Sequence, residues 1–196
     1  FHSICVRILR TSIDRLGYMR EFVIYDASDS RTLIKDCIKE LGLDDREYPP
    51  RSVQNIISHA KNDMITSDEF MSEYGSNPRM KRVAQIFELY VEKLKNNNAL
   101  DFDDIIMHTV SILKSESDIR EKYVDKFKYI LVDEYQDTNN TQYELISLLV
   151  NSDANVCVVG DDDQSIYKFR GANINNILDF QKDYQGAVRI TLDENY

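Results

Sequence analysis

Two carboxylates close an apolar run. Tyr129, Ile130, Leu131 and Val132 lead without a polar interruption into Asp133 and Glu134, and a third acid, Asp137, follows. Such a run reads as a strand buried in a parallel sheet. Acids at its carboxyl end stand at the edge where open α/β sheets bind ligands. An aspartate there can hold Mg²⁺, directly or through water, and the adjacent glutamate can orient or deprotonate a water. The same pattern also suits a strand end whose acids are simply solvated. A second cluster, Asp161-Asp162-Asp163, does not read as a calcium loop. An EF-hand needs Gly at its sixth position and Glu at its twelfth, and counting from Asp161 these are Ile166 and Ala172. His2, His59 and His108 are dispersed, with no metal-ligand neighbour at useful spacing. None of the six glycines is followed by lysine, so the chain carries no Gly-Lys-Ser/Thr phosphate loop.

The elements that must position these acids fall into two styles. Residues 124–196 read as β-α-β-α-β. Apolar runs at Tyr129–Val132, Asn155–Val159 and Val188–Leu192 end in Asp133-Glu134, Gly160-Asp161 and Asp193-Glu194, with helical segments near 140–150 and 174–184 between them. This is the pattern of a parallel sheet with crossover helices. Residues 28–123 look helical throughout. Asn77-Pro78 is a helix start, with Asn as cap and Pro at the first helical position. Met80, Val83, Ala84, Phe87, Val91 and Leu94 then form one apolar stripe, and Asn96-Asn97-Asn98 ends it. Asp101 to Asp104 places acids at the start of the next helix, where the dipole favours them. Residues 1–16 read as an amphipathic helix, and Glu21–Tyr25 as a short strand. The expected organisation is an α/β core (1–27 plus 124–196) interrupted by an all-helical insert (28–123).

Composition bounds the class. The 196 residues are 42% hydrophobic and 30% charged, enough for real cores. No apolar run approaches the roughly 20 residues of a membrane helix, and no signal peptide is visible. Cys5, Cys37 and Cys157 are odd in number and far apart, which reads as free thiols in a reducing, cytoplasmic setting. The net charge of −10 argues against a simple nucleic-acid binder. It is unevenly spread: residues 1–27 are net +1, 28–123 net −4 and 124–196 net −7. The acids of the last segment cluster at strand ends, which suits either solubility or a divalent-cation site.

Two stretches are more specific. Asp133-Glu134-Tyr135-Gln136-Asp137-Thr138-Asn139 resembles motif II (Walker B) of UvrD/Rep/PcrA-type superfamily 1 DNA helicases. Gly160-Asp161-Asp162-Asp163-Gln164-Ser165-Ile166-Tyr167-Lys168-Phe169-Arg170-Gly171-Ala172 resembles their motif III. Phe1-His2-Ser3 with Cys5–Arg10 is similar to the end of motif Ib. Ser58–Asn62 and Leu100–Asp104 are similar to segments of the inserted 1B subdomain, and Leu192–Tyr196 to the start of motif IV. The resemblance spans essentially the whole chain, and Asn139 and Asp161–Asp163 fit the PcrA-like branch better than the RecB-like one.

The resemblance implies a partial RecA-like (P-loop NTPase) sheet with an all-helical inserted subdomain. Asp133 would hold Mg²⁺ on ATP, and Glu134 would be the general base. Gln164 would sense the γ-phosphate, and Arg170 would couple the phosphate region to DNA, a task suited to a planar, permanent cation. Tyr167 and Phe169, alternating with Lys168 and Arg170, would form a stacking platform for single-stranded bases; the family's usual Trp is here Phe169. His2 and Lys61 would face DNA. Tyr167 and Phe169 also suit ordinary core packing, and Lys61 a solvated helix charge. The chain is expected to be a piece of a cytoplasmic, ATP-dependent 3′→5′ helicase of DNA repair or replication. Such a parent acts on single-stranded DNA and duplex junctions, not membranes. Lacking the Walker A segment and second RecA-like domain, the piece alone is expected to be inactive. The alternatives are a non-catalytic DNA- or protein-binding module and, more remotely, a metal-dependent phosphohydrolase using Asp133, Glu134 and Asp137.

Overall fold

The computed structural model describes residues 1–151, 155–161, 173, 175–184 and 186–191. Helix α1 (His2–Ser12) buries Cys5, Ile8, Leu9 and Ser12, the three- and four-residue spacing of one helical face. A 3₁₀ turn (Ile13–Leu16) ends at Gly17, whose φ of +76° suits a residue without Cβ. Strand β1 (Val23–Ile24) follows. Asp26 starts α2 (Ala27–Glu40) by accepting from the Ser28 and Asp29 amides while Asp29 reaches back to the Asp26 amide. Helices α3 (Pro50–Asn62), α4 (Ser67–Tyr74) and α5 (Pro78–Asn96) complete the first helical run. Helix α5 begins and ends where its cap signals place it. Asn77 accepts from the amides of Arg79 and Met80, and Val83, Ala84, Phe87 and Leu94 of the expected stripe are buried.

The two residues after Asn98 depart from the reading of 28–123 as helical throughout. Ala99–Leu100 is a strand, β2, parallel to β1 with Val23 opposite Ala99. Two residues are too few to show an alternating pattern. Helices α6 (Phe102–Ser115) and α7 (Ser117–Lys126) follow. Helix α6 is apolar on most of its circumference because it is covered on several sides: it packs against α1 and α3, and against α8 (Asn140–Leu149).

The cores divide at β2. Ala99 closes a cluster built from α2, α3, α4 and α5, with Ile34, Ile57, Phe70, Phe87 and Tyr90 inside it. Leu100 belongs to a second cluster formed by α1, α6, α7 and α8, including Ile8, Leu9, Ile105, Val110, Ile119 and Leu145. Helices α2–α5 thus share one apolar cluster, while α6 and α7 share the other with α1 and α8.

The expected sheet of 124–196 forms in part. Strands β3 (Tyr129–Val132) and β4 (Asn155–Val158) are parallel, with Tyr129 opposite Asn155 and Val132 opposite Val158. The expectation of burial on both faces is corrected. Ile130 and Val132 pack toward Ile146 of α8, whereas Tyr129 and Leu131 are 74% and 77% exposed. The third expected strand, Val188–Leu192, is also absent from the described residues. Positions 187–191 have no regular structure, and Val188 and Ile190 lie open to solvent. An apolar run becomes a strand only where a neighbouring ladder takes its backbone groups, and among the described residues β3 and β4 pair only with each other. The helix expected near 174–184 is two short helices, α9 (Asn175–Leu178) and α10 (Phe180–Asp183).

Asn98 holds the crossing between the two cores. It adopts φ +48°, its Oδ1 accepts from the Met19 amide at 2.8 Å, and its Nδ2 donates to the Met19 carbonyl at 3.3 Å. Left-handed backbone costs an L-residue about 1–2 kcal/mol and each lost bond about 1. Asn98→Ala is therefore expected to lower unfolding free energy in urea by about 2–3 kcal/mol, with Asn98→Gly recovering the backbone share of that loss.

Candidate functional site

Strand β3 delivers Asp133 and Glu134 to the carboxyl end of the two-stranded sheet, and both side chains are exposed. The backbone turns sharply there. Glu134 sits at φ +51°, ψ +44°, and a 3₁₀ turn (Tyr135–Asp137) follows. A non-glycine residue in this region marks a place where the surroundings fix the chain. The fixing groups are identifiable. The Tyr135 amide donates to the Val159 carbonyl at 2.9 Å, tying the turn to the end of β4. Tyr135 is fully buried, with its ring edge-on to Phe180.

Gln136 is the residue that sequence reasoning missed. It is fully buried between the two strand ends. Its Nε2 donates to Glu134 Oε2 at 2.7 Å, and its Oε1 accepts from the Asp161 amide at 3.1 Å. The close approach explains Gly160: a Cβ there would come within 2.4 Å of Gln136 Oε1 and 2.8 Å of Ile177 Cδ1. One carboxylate oxygen of Glu134 is thereby oriented, while Asp133 Oδ1 accepts from the Glu134 amide at 3.0 Å. Among the described residues neither carboxylate is in a salt bridge. An exposed, unneutralised aspartate at a strand end fits a Mg²⁺ ion, which binds through one or two carboxylates and keeps other positions for water and phosphate. Gln164, Tyr167, Phe169 and Arg170 lie outside the described residues, as does 192–196.

The two other predicted positions, Lys61 and His2, bond to groups other than these acids. Lys61 is neither a solvated helix charge nor a DNA-facing one, for its side chain is 1% exposed. Its Nζ lies 2.7 Å from both Asp101 Oδ2 and Asp104 Oδ1. The Tyr90 hydroxyl donates to the same Asp101 oxygen at 2.8 Å, and the Tyr90 ring lies 5.1 Å from the ammonium. Burial alone would lower the Lys61 pKa; the charges of Asp101 and Asp104 outweigh it and hold the ammonium above its ordinary range. Among the described residues nearby Asp103 is in no ion pair, and burial together with the Asp101 charge pushes it up to about 6. His2 is half-buried on α1. Its Nε2 donates to the Phe102 carbonyl at 3.1 Å, and burial lowers its pKa despite that bond.

The described residues thus make a mixed α/β chain, mostly helical with small parallel sheets, that presents carboxylates at a strand's carboxyl end. Residues 1–185 match the family described as UvrD/REP helicase N-terminal domain. Over all 196 residues the chain is 47% identical to the ATP-dependent DNA helicase PcrA of Bacillus subtilis (strain 168) and 44% to that of Leuconostoc citreum. It is 46% identical to that of Staphylococcus epidermidis (strain RP62A). The chain belongs to the UvrD/REP helicase family. Each match takes in 100% of this chain, which spans only 26–27% of the length of these relatives. Among the described residues no helix is long and apolar enough to cross a membrane.

Removing one partner of a buried ion cluster leaves uncompensated charge and costs about 3–5 kcal/mol. Lys61→Ala is expected to destabilise the protein by that amount in a denaturant titration. A loss below about 1 kcal/mol, the range of an exposed ion pair, would place Lys61 at the surface instead.

Proposed function

We propose that this chain carries part of the ATP-hydrolysing machinery of a 3′→5′ DNA helicase, on a partial RecA-like sheet. The observation that carries the reading is the oriented pair at the end of β3: Asp133 open to solvent and Glu134 held by Gln136 at 2.7 Å. Asp133 is the residue that would hold Mg²⁺ on ATP. The ion, when bound, neutralises charge on the transferring phosphoryl group. Glu134 then takes the proton of the attacking water. Its fixed carboxylate suits that task because a general base must lie within hydrogen-bond reach of the proton it removes. Gln164 and Arg170 are assigned to the γ-phosphate and to its coupling with DNA. Tyr167 and Phe169 are assigned to stacking on single-stranded bases, and His2 to the DNA-facing side.

The relatives named above are ATP-dependent DNA helicases, which supports the same activity for the protein that contains this chain. Their greater length supports placing the phosphate-binding loop, which the 196 residues lack, in segments beyond them. By this reading the chain alone neither hydrolyses ATP nor unwinds DNA. Single-stranded DNA and duplex junctions are its proposed substrates, repair or replication its proposed setting and the cytoplasm its proposed location.

The full-length protein provides the test. Glu134→Gln is expected to lower DNA-stimulated ATP turnover by about 10²–10⁴-fold while ATP binding persists, and Phe169→Ala to weaken single-strand binding by about 1–3 kcal/mol. Normal turnover in Glu134→Gln would remove the catalytic assignment and leave a binding module with structural acids.

A further inference from the structure

The last turn of α3 belongs to the insert, yet it touches the segment that follows the catalytic acids. The apolar residues of α3, Val53, Ile57 and Ala60, sit in the cluster it shares with α2, α4 and α5. Its polar end crosses to α8. Asn139, the N-cap of α8, donates from Nδ2 to Asn62 Oδ1 at 2.6 Å. Thr141 donates from its buried hydroxyl to the Asn62 carbonyl. Asn140 donates to Asp63 Oδ1 at 3.0 Å.

The Asn62 amide has one orientation available. Its Nδ2 donates to the Ser58 carbonyl at 2.8 Å and to Asp103 Oδ1 at 3.1 Å. With two acceptors on the nitrogen side, the oxygen must face Asn139. Asn139 is equally committed, since its own Oδ1 accepts from the Gln142 amide and caps α8. Apolar surfaces can slide past one another at small cost, but an interlocked amide pair has a single register.

That register reaches the acids along a short path. Asn139 lies two residues beyond Asp137, the end of the 3₁₀ turn that contains Gln136. The intervening Thr138 is buried. Its hydroxyl donates to the Tyr135 carbonyl at 2.7 Å, and its carbonyl accepts from Asn176 Nδ2 at 3.1 Å. The turn is therefore clamped behind Gln136, and Gln136 orients Glu134.

We infer that the last turn of α3, acting through Asn62 on Asn139 and Thr141, is a positioning element for Glu134. The helical insert thereby sets the geometry of the hydrolytic step without touching nucleotide. This rests on the reading of Glu134 as general base. Asn62, Asn139 and Thr141 are positioning residues, and their loss moves the carboxylate relative to the water while leaving Asp133 in place.

The experiment is steady-state ATPase on the full-length protein with single-stranded DNA, resolved into kcat and KM. Thr141→Val removes the hydroxyl with little change of shape, and Thr141→Ser keeps it. Asn139→Asp keeps the acceptor that caps α8 and loses the donor to Asn62. Thr141→Val and Asn139→Asp are each expected to lower kcat about tenfold or more, since displacements near 1 Å at a reacting pair are felt on that scale. KM for ATP is expected to stay within about twofold, because ground-state binding is untouched. Thr141→Ser is expected to restore kcat. Unchanged kcat in folded Thr141→Val, beside a Glu134→Gln control that abolishes turnover, would overturn the inference and leave the catalytic reading standing. A fall in kcat that Thr141→Ser shares would also overturn it. Full turnover in the Glu134→Gln control would mean that the catalytic reading itself had failed.

Discussion

An ammonium ion that has lost its water must be surrounded by other charge, and Lys61 imposes that requirement on this fold. Its partners, Asp101 and Asp104, are the N-cap and third residue of α6, and each side chain also accepts from the other's amide. The carboxylates therefore cap α6, sit at the favourable end of its dipole and neutralise Lys61 at once. Tyr90 of α5 completes the enclosure. Three helices are fixed by a single charge cluster at the crossing of the two apolar clusters. The cluster constrains more than it stabilises, because a buried pair gains little over apolar packing but penalises any displacement that separates its members.

Everything that positions the candidate site lies within reach of this crossing. Asn62 follows Lys61 directly and meets the cap of α8. Asp103, between the two cluster acids, accepts from Asn62. Helix α6 contacts α1, α3 and α8, so the cluster places α8 relative to the insert. Strand β3 and the turn after it hang on α8 through Ile146, Val132 and Tyr135. The acids are held further by the backbone bond from Tyr135 to Val159 and the Gln136 bridge to Asp161.

Where local chemistry dictates structure, the sequence was readable. Asn77-Pro78 and Asn96–Asn98 bracket α5 because caps act on the chain beside them, and the run Tyr129–Val132 forms β3 as a strand ending in two acids. The failures lie where partners distant in sequence decide. Lys61 on a helix looks solvated because the acids that bury it are 40 and 43 residues away. Strand β2 is two residues long and depends on β1 for its ladder. Val188–Leu192 has strand composition but no neighbouring ladder among the described residues. Helices α6 and α7 look in sequence like those before them, and only their packing against α1 and α8 distinguishes them. Gln136 was visible as a residue within a recognised motif, yet its role depends on the approach of Gly160 from another strand.

The inferred role of Asn62 and Asn139 makes the α3 terminus and the turn after β3 one mechanical unit. Native-state amide hydrogen exchange measures this without a substitution. The amides of Asp63 and Ile65 are bonded within the α3 terminus, that of Tyr135 to Val159 at the end of β4 and that of Thr138 within the turn after β3. If the polar joint unites them, all four open with one free energy and one dependence on denaturant, as members of a single cooperative unit. Opening of the turn at low free energy while the α3 terminus stays protected would contradict the account.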